Sequence, residues 1–500
     1  MQKFPDHFIF STSTAAFQIE GGRLLGGRKH SNWDKFTIEN YYIPPEGSAE
    51  REVNSIAVAA DFYHKYEQDA KIMNHIGVNG FVYMIDWARI FPDNMDEVNE
   101  AGLAFYESVF KTLCAQGIQP IPILYHWDTP LWLEAKGGTA SPLFVTAFSK
   151  LTQVVFRRLG QYATIWYVSD ENNSYTIFGL LKGHMPPLKK SPTAFWKSIY
   201  YLSIAAATAK AEFEKAKQEK YLKPESLLGI DHAWGTTIPF DQNDPDDLKA
   251  CQIFNEYNLN LYLDPNILGN FPDCFYQALQ DLKLADLVQA NDLALLKKHT
   301  LDLIGWNYYM PVYIASPKRL QENHQWAREP WDFITDQAYI VFPAWEKYTA
   351  WKWLIKPESL VAGAHVLAKR YQKPLMIVEN GLGYFDKKTD GIVKDYYRID
   401  FLNDHLREVQ RALSEGIPFI GYSLWTYCDI YSPSGGYRKR YGLVGVDFDQ
   451  PQLDRFPKAS MFWYQAVIAQ KSTFEPDKIP YEEYAQKAQT SFQTSKLWKS

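Results

Sequence analysis

Short apolar runs alternate with longer amphipathic segments along nearly the whole chain. The run at 375–378, Leu-Met-Ile-Val, has no polar face and is typical of a strand buried on both sides of a parallel sheet. Segment 194–218 instead repeats apolar residues every three or four positions, which predicts a helix with one buried face. The strands predicted in this way span residues 7–13, 79–85, 119–125, 164–169, 227–232, 301–306, 374–379 and 417–424.

The alternation predicts eight βα units and an α/β fold, a closed (β/α)8 TIM barrel. No linker rich in Pro, Gly or Ser divides the chain, so we expect one barrel domain over residues 1–470 and a polar C-terminal extension, 471–500. Four long insertions are expected to form βα loops above the barrel mouth, where the chemistry of such barrels lies. The insertions are 23–57, 170–193, 233–260 and 307–356, and the predicted helices include 61–76, 103–116, 194–218, 357–371 and 398–415.

The composition narrows the class of partner. Aromatic residues make up 16% of the 500 residues, which suits stacking on sugar rings and equally suits a large aromatic core. The net charge is −6 and no long basic run is present, so neither nucleic acid nor an anionic membrane is expected as a partner. The first residues lack the pattern of a secretory leader, and no apolar run approaches the roughly 20 residues of a membrane span. These features predict a cytoplasmic protein, unless a signal peptide was removed.

The four cysteines are widely scattered and form no CxxC pair. This pattern predicts neither a disulfide framework nor a zinc site. Nothing else in the sequence indicates a metal or an organic cofactor, and the oligomeric state stays open.

Two glutamates follow predicted strands. Glu379 ends the run at 375–378, just before an Asn-Gly turn, and by itself it is equally well explained as a solvated loop carboxylate. Glu171 follows the predicted strand 164–169, and the fourth and seventh strands of a barrel deliver their ends to the same face. Retaining glycoside hydrolysis needs such a pair, with carboxyl groups about 5 Å apart.

Several motifs resemble glycoside hydrolase family 1, the β-glucosidase and 6-phospho-β-glycosidase family. Residues 8–21 resemble its first strand and loop, and Tyr-His-Trp-Asp-Thr-Pro at 125–130 resembles its third-strand motif. Asn-Tyr-Tyr at 307–309 and Ile-Val-Glu-Asn-Gly at 377–381 are similar to the sixth and seventh. The resemblance covers residues 4–470 and marks the chain as a divergent member.

The resemblance implies a role for each matching residue. Glu379 would be the nucleophile and Glu171 the general acid/base, with its pKa raised by burial and by the neighbouring anion. Tyr309 would hydrogen-bond the nucleophile. Gln18, His126 and Trp127 correspond to the family's donors to the sugar hydroxyls. Trp425 corresponds to its indole under the sugar ring, and Trp353 to its indole on the aglycone side.

Three positions near the catalytic pair depart from the family. Val82 stands where an Arg usually contacts the nucleophile, so we expect the pKa of Glu379 to rise and its orientation to loosen. Asp170 stands where an Asn usually donates to the sugar 2-hydroxyl. Because an ionised Asp can only accept, either Asp170 is protonated or it binds a different hydroxyl pattern. Asn172 replaces the usual Pro.

The last motif departs in a different way. Ser432 replaces the Glu that holds the outer hydroxyls in plain β-glucosidases, and Lys439 and Tyr441 follow it at the spacing of the family's 6-phospho-β-glycosidases. A hydroxyl, an ammonium and a phenol suit a phosphate dianion. However, a Lys at the position of Lys439 is also found in family members that do not take phosphates.

Three functions therefore stay open. The first is a retaining β-glycoside hydrolase that acts on terminal β-linked sugars, with a small β-glycoside or disaccharide as substrate. The second is a 6-phospho-β-glycosidase. The third is a sugar-binding barrel with impaired catalysis, which Val82, Asp170 and Asn172 favour. A purely structural role would leave the two glutamates at strand ends unexplained.

Overall fold

A closed barrel of eight parallel strands forms the centre of the molecule. The computed structural model describes residues 3–39, 56–322, 335–389 and 391–498. Each barrel strand pairs with the next along the chain, and the last pairs with the first, which closes the barrel. The strands are Ile9–Thr14 (β1), Gly80–Met84 (β2), Gln119–Ile123 (β3), Ile165–Tyr167 (β4), Leu227–Ala233 (β5), Leu303–Asn307 (β6), Leu375–Asn380 (β7) and Phe419–Trp425 (β8).

The eight predicted barrel strands are confirmed, with ends that shift by a few residues. Every residue of β2 and β7 is buried, as their continuous apolar runs predicted. No end shifts by more than two residues; β4, for example, stops at Tyr167 although 164–169 was predicted. Beyond Tyr167 the backbone still bonds to its neighbours, with the Val168 N–H donating to the Gly229 carbonyl at 2.9 Å, before Glu171 adopts the left-handed conformation at φ +39°.

Helices surround the barrel and bury one face against it. The longest, Pro192–Gln218, begins where the Ser191 hydroxyl accepts the Ala194 N–H and Pro192 occupies the first turn. The larger helices of the outer layer are Phe62–Ile76, Glu100–Ala115, Pro142–Leu159, Pro192–Gln218, Ser359–Tyr371, Tyr396–Ser414 and Ala459–Gln470. None of the helices within the described residues is long and apolar enough to cross a membrane.

The long insertions carry elements of their own. Strands Thr237–Pro239, Val312–Ala315 and Tyr339–Val341 form a small three-stranded sheet, and helix Pro245–Asn255 packs beside it. Helix Asn32–Ile38 belongs to the first insertion, and its N-terminus is closed by a reciprocal capping box between Ser31 and Asp34. Residues 40–55 and 323–334 of the predicted insertions lie outside the described residues.

The last part of the chain packs against the barrel. Helix Tyr481–Thr494 contacts helix Ala459–Gln470, and Tyr484 and Trp498 are buried. The Trp498 indole donates to the Ser491 hydroxyl at 3.0 Å. The proposed boundary between a barrel domain at 1–470 and an extension at 471–500 stays a prediction; residues 1–2 and 499–500 lie outside the described residues.

Candidate active site

A cavity of about 650 Å³ opens at the carboxyl ends of the barrel strands. It brings together residues from positions spread over more than 400 residues of sequence. Every residue predicted for the site lines this cavity, namely Gln18, His126, Trp127, Asp170, Glu171, Tyr309, Trp353, Glu379, Trp425, Ser432, Lys439 and Tyr441. Their individual roles stay predictions.

The turn after β7 fixes the position of Glu379. Asn380 is the last residue of the strand, and its Nδ2 donates a hydrogen bond to the Tyr308 carbonyl. Its Oδ1 accepts a hydrogen bond from the Tyr422 hydroxyl at 2.6 Å. A Cβ atom at Gly381 would lie 1.9 Å from the Trp425 carbonyl oxygen, so only glycine allows this close approach. The buried strand and its glycine turn therefore place Glu379 beside the end of β8.

Glu379 is buried and has one hydrogen-bond donor. Its Oε2 accepts the Tyr309 hydroxyl at 2.6 Å, while Oε1 has no donor among the described residues. No Lys or Arg of the described residues forms an ion pair with Glu379. Burial, followed by Asp170 and Glu171, raises its pKa well above the usual range, and the Tyr309 bond acts in the opposite direction.

Glu171 begins the short helix that follows β4. Its backbone N–H donates to the Asp231 carbonyl at 3.2 Å, and its side-chain Oε1 accepts the Asn307 amide at 3.0 Å. Burial and then Asp170 raise the pKa of Glu171 to about 8, against the bonds from Asn307 and Ser174. Glu171 is therefore mostly protonated at neutral pH, which is the state that a proton donor needs.

One amide and one imidazole hold Asp170. Asn307 Nδ2 donates to Asp170 Oδ1 at 3.0 Å, so this single amide bridges Asp170 and Glu171. His126 Nε2 lies 3.0 Å from Asp170 Oδ2. Asp170 thus contacts protein groups through both oxygens, and its backbone carbonyl also accepts the Trp127 indole N–H at 2.9 Å.

All three predicted sugar donors contact the protein itself in this structure, and His126 does so through Asp170. The Trp127 N–H is taken by the Asp170 carbonyl, and Gln18 Nε2 donates to the Tyr431 carbonyl at 2.7 Å. Gln18 keeps a second amide hydrogen for a ligand. Trp127 would have to share or break its present bond before it could donate to a sugar hydroxyl.

A buried lysine also lines the cavity. Lys439 is 1% exposed, and its Nζ lies 3.9 Å from the Trp353 ring centroid and 5.0 Å from that of Trp351. It donates to the Ser434 hydroxyl at 3.2 Å, and within the described ranges no carboxylate forms an ion pair with it. Burial lowers the pKa of Lys439 to about 7.

Two glycines make room for this lysine. A Cβ atom at Gly383 would lie 2.6 Å from Lys439 Cε, and one at Gly435 would lie 2.6 Å from Lys439 Cβ. The Tyr441 ring lies 5.2 Å from Nζ, and its hydroxyl bonds to Ser432. Three aromatic rings and the Ser434 hydroxyl therefore lie next to a lysine that has no described counter-ion, and the Ser432 hydroxyl bonds to Ser434 and Tyr441.

The structure adds residues that were not predicted for the site. Asn307 lay in a recognised motif, but its bridge between two carboxyl groups depends on the approach of β4 and β6. Asp231 is a charged residue inside the predicted strand 227–232, and this unusual position in the sequence was the signal that could have pointed to it. Trp351 and Ser434 line the cavity beside Lys439. In the described ranges, no group of three or more His, Cys, Asp or Glu residues could hold a metal ion.

Comparison with known proteins gives matches over almost the whole chain. The model of Glycosyl hydrolase family 1 matches residues 1–473. Aryl-phospho-beta-D-glucosidase BglC of Bacillus subtilis is 33% identical over 478 residues, covering 93% of this chain and 97% of that protein. Beta-glucosidase A of Acetivibrio thermocellus is 30% identical over 468 residues, covering 93% and 98%. A solved β-glucosidase of Thermotoga maritima in complex with castanospermine has a TM-score of 0.82 and 26% identity, covering 95% of this chain and 100% of that one.

Proposed function

This chain belongs to glycosyl hydrolase family 1 and is a retaining β-glycoside hydrolase, and we propose that Glu379 and Glu171 are its catalytic pair. The observation that carries this assignment is the placement of both carboxyl groups in one cavity with different partners. Glu379 accepts a hydrogen bond from the Tyr309 hydroxyl. Glu171 accepts one from the Asn307 amide and keeps its proton at neutral pH.

In the first step, Glu379 attacks the anomeric carbon while Glu171 transfers its proton to the leaving oxygen. The bond to the aglycone breaks, and a covalent glycosyl-enzyme forms. Tyr309 supports this division of labour because its hydroxyl donates to Glu379 and so favours the ionised form.

In the second step, Glu171 acts as a base. Once Glu379 is esterified it no longer carries a charge, so the electrostatic pressure that keeps Glu171 protonated falls. Glu171 then removes a proton from a water molecule, which attacks the anomeric carbon and releases Glu379.

The stereochemistry of the first product tests this assignment. Proton NMR during hydrolysis of a nitrophenyl β-glycoside should show the β-anomer of the free sugar first. Initial release of the α-anomer would mean a single inversion, and it would contradict a nucleophilic role for Glu379.

A glycone with a 6-phosphate is the substrate that the Lys439 end of the cavity favours. Lys439 is a buried ammonium with no described carboxylate partner, and the Ser432, Ser434 and Tyr441 hydroxyls lie around it. A phosphate dianion would accept from all of these groups and would stabilise the charged form of the lysine. We also propose a cytoplasmic location, which would suit a phosphorylated substrate that is made inside the cell and cannot leave it through an apolar bilayer.

Paired substrates test the phosphate. The wild type should have a higher kcat/KM for nitrophenyl β-glucoside 6-phosphate than for the unphosphorylated glucoside. Lys439→Met should lower kcat/KM on the phosphate roughly 10- to 100-fold, as expected for one lost charged hydrogen bond, and should change the other substrate much less. Lys298→Met, an exposed lysine outside the cavity, is the matched control. Equal kcat/KM on both substrates in the wild type would rule out the phosphate.

Within this family, impaired catalysis with retained sugar binding is the second candidate, and one observation favours it. No cation of the described residues contacts Glu379, and Val82 is fully buried on β2 where the family usually has an Arg. Retained binding of a β-glycoside, measured by calorimetry, together with no detectable hydrolysis would favour this candidate. Steady turnover would exclude it.

A further inference from the structure

Asp231 is a buried carboxyl group in the wall of the barrel, within β5. Its side chain is fully buried, and neither carboxyl oxygen receives a hydrogen bond from a donor among the described residues. The Asp231 N–H donates to the Ser169 carbonyl at 3.1 Å, and the Asp231 carbonyl accepts the Glu171 N–H. Its Oδ1 lies 2.9 Å from the place that a Cβ atom at Gly305 would take, so a larger residue on β6 would displace it.

Acids surround this side chain. The Asp231 carboxyl group lies within hydrogen-bonding reach of the Asp170 carboxyl group, and Glu171 and Glu379 are close enough to act on it electrostatically. The nearby phenol on β4 is Tyr167, whose hydroxyl has no partner among the described residues. We call Asp170, Glu171, Asp231 and Glu379 the carboxyl cluster.

No described cation offsets the carboxyl cluster. His126 contacts Asp170, but burial lowers the pKa of its imidazole. His232, next to Asp231 on β5, bonds to the Asn258 carbonyl, and burial lowers its pKa to about 4. Two ionised carboxylates in contact cannot donate to each other and would repel strongly in this setting. Burial, followed by Asp170, raises the pKa of Asp231 well above its usual range.

We propose that Asp231 is a positioning residue that shares one proton with Asp170, so that the two carboxyl groups carry a single negative charge. This inference rests on the proposed function, because Asp231 acts through Asp170 on the catalytic pair. The shared proton makes the contact a charge-assisted hydrogen bond and holds Asp170 beside Glu171. It also removes one anion from the surroundings of Glu379, a carboxylate that has no described cation to keep it ionised.

Two variants of similar shape separate proton sharing from packing. Asp231→Asn keeps a donor to Asp170 and leaves the pair with one negative charge, so kcat should stay within about threefold of the wild type. Asp231→Leu removes the donor and leaves Asp170 less well held, so kcat should fall roughly 10- to 100-fold. An equal loss in both variants would assign Asp231 a packing role and overturn the proposal.

The pH profile of kcat/KM gives a second test of proton sharing. If Asp231 and Asp170 share a proton, Asp231→Asn changes no charge near Glu379, and the acidic limb stays where it is in the wild type. If Asp231 is ionised, the substitution removes an anion that raises the pKa of Glu379, and the acidic limb moves to lower pH. That shift would overturn the proposal.

Infrared spectroscopy tests the proton without any need for turnover. At neutral pH the wild type should show the carbonyl stretch of a protonated carboxylic acid that Asp231→Asn lacks, whereas Glu171→Gln should remove a different band. If Asp231→Asn keeps every carboxylic acid band of the wild type, proton sharing is contradicted even if the enzyme is active. An inactive enzyme with the band present would contradict only the proposed function.

Discussion

Two of the buried carboxylate groups on this barrel have opposite surroundings. One is an ion-pair cluster formed by Asp386, Asp395, Arg398, Asp429 and Lys458. In it, Arg398 lies 2.9 Å from Asp386 and also contacts Asp395, while Lys458 lies 2.7 Å from Asp429. The carboxyl cluster of the active site is also largely buried, with Glu171 half-buried at the cavity, but within the described residues its acids have no Lys or Arg partner.

The pKa values show what this difference does. Burial alone would raise the pKa of Asp386, but Arg398 and Lys458 outweigh burial and lower it below the usual range. Burial raises the pKa of Glu171 to about 8, because only Asn307 and Ser174 oppose it. Asp386, which contacts two cations, therefore stays ionised and contributes to the fold, although at Asp395 burial outweighs Arg398 and raises the pKa. Glu171, which contacts no cation, holds a proton that chemistry can use.

Removing the nucleophile should give the largest effect. Glu379→Gln keeps the shape of the side chain but cannot form the glycosyl-enzyme, so kcat should fall on the order of 10⁴-fold or more. Steady-state assays with a nitrophenyl β-glycoside measure this. Glu408→Gln, on helix Tyr396–Ser414 outside the cavity, is the control and should keep wild-type kcat. Activity of Glu379→Gln near that of the control would refute the role of Glu379.

Breaking the ion-pair cluster should affect stability instead of chemistry. Arg398→Met leaves Asp386 and Asp395 without their shared guanidinium, so the free energy of unfolding should fall by about 3–5 kcal/mol. Denaturant unfolding measures the loss, and kcat of the folded fraction should change little. If the free energy of unfolding falls by less than about 1 kcal/mol, the ion-pair cluster stabilises the fold no more than surface ion pairs do. The proposed contrast between a stabilising cluster and a catalytic one would then be wrong.

The alkaline side of the pH profile should report Glu171. Its proton is needed for the first step, so kcat/KM should fall about tenfold for each pH unit above about 8. In Glu171→Gln this limb should disappear on activated substrates, and added azide should partly restore turnover. An unchanged alkaline limb in this variant would assign the proton donor to another residue.

The smallest expected effect is at Tyr309. Tyr309→Phe removes the hydroxyl that donates to Glu379 at 2.6 Å, so kcat should fall roughly tenfold. Since that bond lowers the pKa of Glu379, its loss should move the acidic limb of kcat/KM to higher pH. A limb that moves to lower pH would mean that the phenol does not stabilise the carboxylate.

Much of the fold could be predicted because burial on both faces of a parallel strand leaves a continuous apolar run. The runs at 375–378 and 79–85 illustrate this, and Glu171 and Glu379 stood out because each follows such a strand. Asp231 could not be assigned in this way, since one charge inside a strand does not reveal which groups surround it. The missing counter-ion of Lys439 is likewise a property of the folded chain, because it depends on which carboxylates come near.

We propose that Glu379 attacks the sugar although the described structure provides no cation beside it. Incubation with a 2-deoxy-2-fluoro β-glycoside that has an activated leaving group, followed by peptide mass spectrometry, tests this most directly, with the 6-phosphate form run in parallel. We expect a single sugar adduct on the peptide that contains Glu379, and no adduct in Glu379→Gln. An adduct on another carboxylate, or turnover of the natural substrate with no adduct from either reagent, would contradict this proposal.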